Sequence, residues 1–537
     1  MNQSAEAATI ETLATTLSGI IGADHVQAGD AARILFSQDV WREGARVDLV
    51  ASPASEAECA AVVRACADAG AAVYPRGGGM SYTAGYLPDR PGGVSVDTTR
   101  MNRVLEISEA GMYVRVEAGC TWKTLNEALA PTGLRTPFWG PLSGTSSTVG
   151  GGVSQNNAFF GAGVHGPTAD SVLSVSVALP QDVILRTGSA SGETGTGPAR
   201  PFFRHYGPDL TGLFCGDAGA LGVKTEITLR LIPAPAHERW ASFSFASREA
   251  CAAAMASMGR TGLACELFAF DPGLTAVRMK RASLMSDAKT LGKVVTGQKS
   301  LMKGLTEGAK MALAGRSFLG EADFNLHVVT ESHSKTGADD ALRQLTQLAE
   351  RAGGRGVEPT IPKVIRANPF TPLNNMIGPS AERWVPVHGI VAMDDGPACW
   401  AEIEALFASL KTRFDNHGVT TGFLVTTLST TGFLVEPVFL WPDELFDLHR
   451  AHVEAGYLKT LKPRPADPAA TALVAEARTA VVDIFTRYGA AHFQIGRTYP
   501  LARTRSAPAL ALLRAIKTEL DPHNIINPGA LRLDGKP

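Results

Sequence analysis

The chain has 537 residues, more than one hydrophobic core ordinarily serves, so at least two domains are expected. Hydrophobic residues make up 45% and charged residues 19%, the balance of a soluble globular protein, and a net charge of −2 with no basic face gives no electrostatic basis for holding nucleic acid. The seven cysteines, at 59, 66, 120, 215, 251, 265 and 399, are odd in number and form no CxxC pair, which argues against a disulfide scaffold or a cysteine-built metal site and for a reducing compartment.

The first residues, MNQSAEAATIETLATTLSGIIG, have no basic leader and no long apolar run, and read as an amphipathic helix and not a signal peptide. No stretch approaches the ~18 apolar residues of a membrane span, so a cytoplasmic protein is expected. Residues 47–233 alternate short strands with turns and helices. VDLVASP is a strand; Ser55 and Glu58 are spaced as a capping box, opening a helix that stops at Gly70. The strand AAVYP follows, a strand–helix–strand order that implies a right-handed crossover. GGVSVD and MYVRVEAG are further strands, and SVLSVSVALPQDVILRTGS (171–189) is a hairpin turning at Pro180-Gln181-Asp182. A polar, glycine-rich loop (189–200) and the strand TEITLRLIP (225–233) lead to the linker PAPAHE (233–238). From 239 to about 475 the chain has strands and helices of its own, including a Lys/Met/Gly-rich helical stretch at 279–316. The end, from 476, reads as a return to the first domain. There Ser506 and Pro508 open a helix with Leu513, Ile516 and Leu520 on one face, and LDPHNIINPG closes it.

Two segments stand out chemically. PRGGGMSYTAGY (75–86) places three glycines after Arg76, and GPLSGTSSTVGGGVSQNNAFFGAGVHG (140–166) is built almost wholly of small residues. Such runs build little core. They suit a backbone that must lie flat against a large ligand, offering N–H groups and hydroxyls, and successive N–H groups form a nest for an anion such as phosphate.

Together with VILRTG, YGPDLTGLF…GALGVKTEITLRLIP (206–233) and the terminal LDPHNIINPG, these segments resemble the vanillyl-alcohol oxidase / p-cresol methylhydroxylase (PCMH-type) superfamily of FAD enzymes. The resemblance covers the first domain and the C-terminus, about half of the chain. It implies an α+β fold: a two-subdomain FAD-binding domain over 1–236, a substrate-binding cap over 237–475 with an antiparallel sheet flanked by helices, and a C-terminal segment, 476–537, returning to the first domain. It implies that Arg76, Gly77, Gly78, Gly79, Met80 and Ser81 wrap the FAD pyrophosphate. Pro141, Ser143, Gly144, Thr145, Thr148, Gly150 and Gly151 would run along the flavin and its phosphates. Gly163, His165, Gly166, Gly222 and Ile227 would hold the isoalloxazine edge and the adenine side, with Asn527 completing the site. Where some members carry a histidine that binds FAD covalently, this chain has Met80. Non-covalent FAD is therefore expected, with a covalent link through His388 as the alternative.

The flavin would accept a hydride, and the protein must remove a proton and stabilise developing negative charge. The candidates are Arg497, whose Arg-Thr pair resembles an arginine that stabilises a phenolate, Tyr499, His388, Arg366 with Asn375, and His492. Two departures stand against a phenol oxidase: Gly496 replaces a tyrosine before that arginine, and the second glycine loop lacks an aspartate. The HxGDGNxH motif of metal-assisted 2-hydroxy-acid enzymes is absent, so no metal is expected. The aromatic segments PFTPLNN, ERWVP and EPVFLWP favour a 4-substituted phenol or aryl alcohol. The alternatives are a D-2-hydroxy-acid dehydrogenase and, in another class, a flavin-dependent transferase like the alkyl-dihydroxyacetone-phosphate synthases. A small-molecule substrate, a separate electron acceptor (dioxygen, quinone or cytochrome) and a homo-oligomer are the expected partners.

Overall fold

The Ser55 hydroxyl accepts the Glu58 N–H at 3.2 Å, so the helix Glu56–Asp68 starts where the capping pair requires, while the Glu58 carboxylate reaches one residue further back, to the Ala54 N–H at 2.8 Å. The computed structural model describes residues 2–277 and 323–533, leaving out the side chains of residues 2–8 and of Asn375. The stretch at 279–316 read as helical lies outside the described residues. Two units emerge. Unit 1 comprises residues 1–158, 167–234 and 493–537, and unit 2 comprises 159–166 and 235–492.

Unit 1 contains two main sheets and two small two-stranded ones, Glu193–Thr194 with Gly197–Pro198 and Leu134–Arg135 with Ile232–Pro233. The first orders Val26–Gln27, Leu49–Ala51, Val94–Asp97 and Val73–Arg76, the last three parallel. The second is antiparallel throughout, in the order Val104–Ser108, Tyr113–Glu117, Val223–Arg230, Val172–Leu179 and Val183–Arg186. The last two strands form the expected hairpin, and Asp182 takes the left-handed backbone that its turn needs. The helix Asn2–Ile21 puts Leu13, Leu17 and Ile21 into one core with Val62, Val63 and Cys66 of the capped helix and Val94 and Val96 of the first sheet. The four-residue spacing of those three side chains gives them one helical face.

The C-terminal return packs into this same core through Ile525 and Ile526. Val73 donates its N–H to the Ile525 carbonyl at 2.8 Å, and Asn527 donates to the Val73 carbonyl at 2.7 Å, so residues 525–527 extend the parallel sheet beside Val73–Arg76. The helix Ala507–Leu520 differs from its apolar-face reading. Leu513, Ile516 and Leu520 are half-buried, and the buried residue is Lys517. Its ammonium donates to the Ala220 carbonyl (2.8 Å), the Ile526 carbonyl (2.8 Å) and Asp521 (2.6 Å), one acceptor for each proton.

Unit 2 is an eight-stranded antiparallel sheet. Its order is Arg355–Val357, His237–Phe245, Phe324–Ser332, Glu266–Phe270, Thr420–Leu428 and Gly432–Pro442, the last pairing with both Glu382–Pro386 and Gly389–Ala392. The helices Arg248–Gly259, Lys335–Arg351, Gly396–Asn416 and Pro468–Arg487 pack with it. The return to unit 1 comes at Phe493 and not at 476. The cause is the helix Pro468–Arg487, which packs against Gly396–Asn416 and joins it through an Arg413–Glu476 pair at 2.7 Å. The segment 159–166 also departs from the expected plan. Gly163 donates to the Cys265 carbonyl at 3.0 Å and Ser429 to the Ala162 carbonyl at 2.9 Å, which ties this piece of the small-residue run into unit 2.

Replacing Lys517 by Met removes the cation and leaves Asp521 buried and unneutralised. A loss of about 3–5 kcal/mol is expected for breaking a buried pair, read as a lower denaturant midpoint for a unit 1 probe; an unchanged midpoint would contradict the role given to Lys517.

Candidate functional site

The strand Val73–Arg76 ends at the lip of a cleft in unit 1 that encloses about 900 Å³, mouth included. Its walls are the two glycine-rich stretches, with Arg76–Ser81 on one side and Pro141, Ser143, Ser147, Thr148, Gly150 and Gly151 on the other. Ala218, Gly219, Val223, Lys224 and Gln494 also line it.

The glycines are needed because the walls approach each other closely. A Cβ at Gly78 would fall on the Ser146 carbonyl, one at Gly77 on the Thr148 hydroxyl, and one at Gly150 within 2.7 Å of the Ala118 side chain. Thr148 accepts the Gly151 N–H at 3.1 Å, which fixes the second wall as it enters the short helix Val149–Gln155. The first wall is held from behind. The Tyr86 hydroxyl donates to the Gly79 carbonyl at 2.7 Å, and the Arg76 guanidinium lies over the rings of Phe36 (4.2 Å) and Tyr86 (5.3 Å).

The charges in this cleft point to an anion. Arg76 is 6% exposed, and its Nε and Nη2 have no hydrogen-bond partner among the described residues. A buried cation without an acceptor is costly. No acceptor among the described residues takes the backbone N–H groups of Gly78, Gly79 and Met80. A phosphate seated in the cleft satisfies both, as a nest of successive N–H groups does for anions generally. Lys224 pairs with Asp217 at 2.6 Å in the same wall, and Asp217 is itself fixed by the Gly219 N–H at 2.9 Å.

Several expected cofactor residues are not among those that line the cleft within unit 1. Gly144 and Thr145 are in the second wall's chain but do not line the cleft. Gly222 packs against Val177, and Ile227 is fully buried between Val116 and Val175 in the antiparallel sheet; the lining residues of that segment are Val223 and Lys224. Gly163, His165 and Gly166 belong to unit 2, where a Cβ at Gly163 would strike the Ala264 carbonyl. Asn527 lies behind the cleft, donating to the carbonyls of Gly85 (2.8 Å) and Ala218 (2.7 Å).

The candidate catalytic arginines are both engaged within their own units. Arg497 donates to the carbonyls of Ala84 (2.8 Å), Gly85 (3.4 Å) and Pro528 (2.5 Å) and to the Asn527 side chain (2.8 Å). It therefore stitches the glycine loop to the C-terminal loop and does not stand open to a phenolate. Burial pulls its pKa down to about 10, so it keeps its charge at neutral pH. Gly496 is explained by the same packing: its backbone is left-handed, and a Cβ would strike the Thr83 carbonyl, so a tyrosine there has no room. Tyr499 is buried in unit 1 with its N–H on the Ile495 carbonyl.

In unit 2, Arg366 is bound by Glu266 at 3.0 Å and by Glu238 and Glu331, so it is a structural cation and not a carboxylate clamp. Burial works against its charge, but Glu266, Glu331, the Cys265 sulfur and Glu238 outweigh it and hold the guanidinium well above its ordinary range. The Asn375 side chain lies outside the described residues. The structure does bring the two histidines together: His492 Nδ1 sits 2.9 Å from the His388 carbonyl, and the Phe485 ring meets His492 edge-on. Asp217, Lys224, Tyr86 and Gln494 were missed by sequence reasoning. The one usable signal was Lys224, the cation that breaks the apolar run GALGV (219–223).

Comparison with known proteins agrees with this cleft. The domain family described as "FAD binding domain" matches residues 47–188, and "FAD linked oxidases, C-terminal domain" matches residues 495–531. An FAD-linked oxidoreductase of Mycobacterium tuberculosis is 31% identical over 256 residues, 47% of this chain and 53% of that protein. The mitochondrial D-lactate dehydrogenase [cytochrome] of Arabidopsis thaliana is 34% identical over 212 residues, 39% of this chain and 35% of that protein. The chain thus spans about half the length of the first and about a third of the second. The 4-ethylphenol oxidase from Gulosibacter chungangensis superposes with a TM-score of 0.70 over 97% of both chains at 16% identity, a likeness of fold.

A Gly78→Ala protein is expected to purify without the flavin that the wild type retains, because its Cβ forces the walls apart. Gly195→Ala, at a site with nothing within 4 Å, is expected to retain it. The ratio of flavin to protein absorbance checks both, and equal ratios would sink the steric account.

Proposed function

We propose that this chain, which carries an FAD binding domain and an FAD linked oxidase C-terminal domain and shares the fold of 4-ethylphenol oxidase, is a PCMH-type FAD-dependent oxidoreductase that oxidises the hydroxylated or benzylic carbon of a small uncharged substrate, an aryl alcohol or 4-substituted phenol. FAD, when bound, supplies the hydride acceptor. Arg76 and the glycine loop hold its phosphates, and the cofactor is retained non-covalently, Met80 standing in the loop where related enzymes carry a linking histidine.

The observation that carries the substrate reading is the engagement of both candidate arginines. Arg366 is bound by three carboxylates and Arg497 by three carbonyls and an amide. A 2-hydroxy acid would need a bidentate guanidinium for its carboxylate; Arg366 is taken up by carboxylates, and Arg497 keeps only its buried Nε without a partner among the described residues. The proton is assigned to His492. Its Nδ1 hydrogen bond to a backbone carbonyl makes that nitrogen the N–H, which leaves the lone pair on Nε2, the atom that can act as base. A D-2-hydroxy acid is the second reading, favoured by the likeness to D-lactate dehydrogenase in the cofactor half of the chain. A separate acceptor reoxidises the flavin in either case.

Anaerobic titration of the purified flavoprotein with aryl alcohols, 4-substituted phenols and D-2-hydroxy acids tests this. Bleaching of the flavin band by the first two classes alone is expected, and bleaching by D-lactate would overturn the substrate reading. His492→Asn is expected to slow that reduction by about 10²–10⁴-fold, as for loss of a general base, with flavin content unchanged.

A further inference from the structure

Two lysines of unit 1 are buried beside an aspartate, and they differ in one respect. Lys517 has an acceptor for each of its three protons. Lys224 has a single acceptor among the described residues, Asp217 at 2.6 Å, although its side chain is 3% exposed and that of Asp217 is 1% exposed. An ammonium carries three donors and no acceptor, and a buried donor left unmade is expensive. The Lys517 arrangement shows what a purely structural lysine looks like in this unit. Lys224 instead lines the cleft wall, with the Phe214 ring 5.9 Å from its Nζ.

The position of the pair in the cleft narrows the ligand group. Asp217 accepts the Gly219 N–H, and a Cβ at Gly219 would lie 3.5 Å from Pro75, the residue before Arg76. The Asp217–Lys224 pair therefore flanks the wall that ends in Arg76 and the triple glycine. Burying an ion pair rarely adds stability over an apolar pair of the same volume, so stability alone gives no reason for a lysine in this strand.

We propose that Lys224, held by Asp217, donates its remaining N–H groups to oxygen atoms of the phosphate-bearing half of bound FAD, and so sets affinity for the dinucleotide. This rests on the reading of the unit 1 cleft as the FAD site. Asp217 is the positioning residue: it fixes the ammonium and neutralises one charge, so the cleft gains directed donors with little net charge beyond that of Arg76.

The test is titration of flavin-stripped protein with FAD, FMN and riboflavin, followed by flavin fluorescence. If the wild type binds no FAD, the reading of the cleft itself fails. Given wild-type binding, Lys224→Met is expected to weaken FAD about ten- to hundredfold, the worth of a charged hydrogen bond, and to leave riboflavin affinity and the flavin reduction potential unchanged. A matching loss for FMN would assign the donor to the phosphate next to the ribityl chain, and a loss for FAD alone to the adenosine diphosphate portion. Equal affinities for FAD in wild type and variant would overturn the proposal, as would a loss shared by riboflavin with a shifted potential, which would aim Lys224 at the ring. Because Lys224→Met leaves Asp217 unneutralised, the Lys224→Met/Asp217→Asn double variant is measured beside it. It removes both charges and is expected to show the same selective loss with wild-type thermal stability of the flavin-free protein.

Discussion

The close approach of the two glycine-rich walls governs the rest of unit 1. Gly77 and Gly78 meet Ser146 and Thr148 with no room for a Cβ on the first wall, and Gly150 meets Ala118 in the same way on the second. Side chains excluded at these points cannot supply the chemistry of the cleft, so backbone N–H groups and a few long side chains reaching in from behind must. Arg76 is one of these, held flat by Phe36 and Tyr86. Lys224, fixed by Asp217, is the other.

The same constraint explains the C-terminal return. The glycine loop has little side-chain packing of its own, so it needs anchors. Residues 525–527 extend the parallel sheet beside the strand that leads into the loop, while Arg497 and Asn527 gather the carbonyls of Ala84, Gly85, Ala218 and Pro528. A guanidinium is suited to this work because its planar fork keeps several donors in fixed directions. Arg366 shows the contrasting use of the same side chain, a cation that balances three buried carboxylates in unit 2.

Much of this was legible in the sequence because it is local. The cap at Ser55, the hairpin turn at Asp182 and the two glycine loops are each written within a few residues, and the loops identified the cofactor class before any geometry was known. What stayed hidden depends on partners distant in the chain. Arg497 and Arg366 read as catalytic because a lone arginine in a motif carries no sign of what will bind it, and their partners lie as far as 413 and 128 positions away. The apolar face of the last helix hid a buried lysine, since periodicity cannot tell a core leucine from a lysine with three acceptors. The small-residue run 140–166 read as one element but divides between two units, because glycine serves equally well beside a cofactor and against a neighbouring strand.

Unit 1 is assembled from three separate stretches of chain, and 258 residues lie between its second stretch, ending at Ala234, and its third, beginning at Phe493. On a ribosome adding roughly 5–20 residues per second, that interval lasts on the order of tens of seconds. Throughout it the glycine loop has emerged without Arg497, Asn527 or Ile526, and the parallel sheet has an open edge at Val73. The nascent protein must therefore carry an incomplete flavin cradle while all of unit 2 is being made. Cofactor loading becomes one of the last events in its biogenesis, and a premature stop within the final helix yields a chain that has a complete second unit and a flavin cradle without the 525–527 edge or Asn527 behind it.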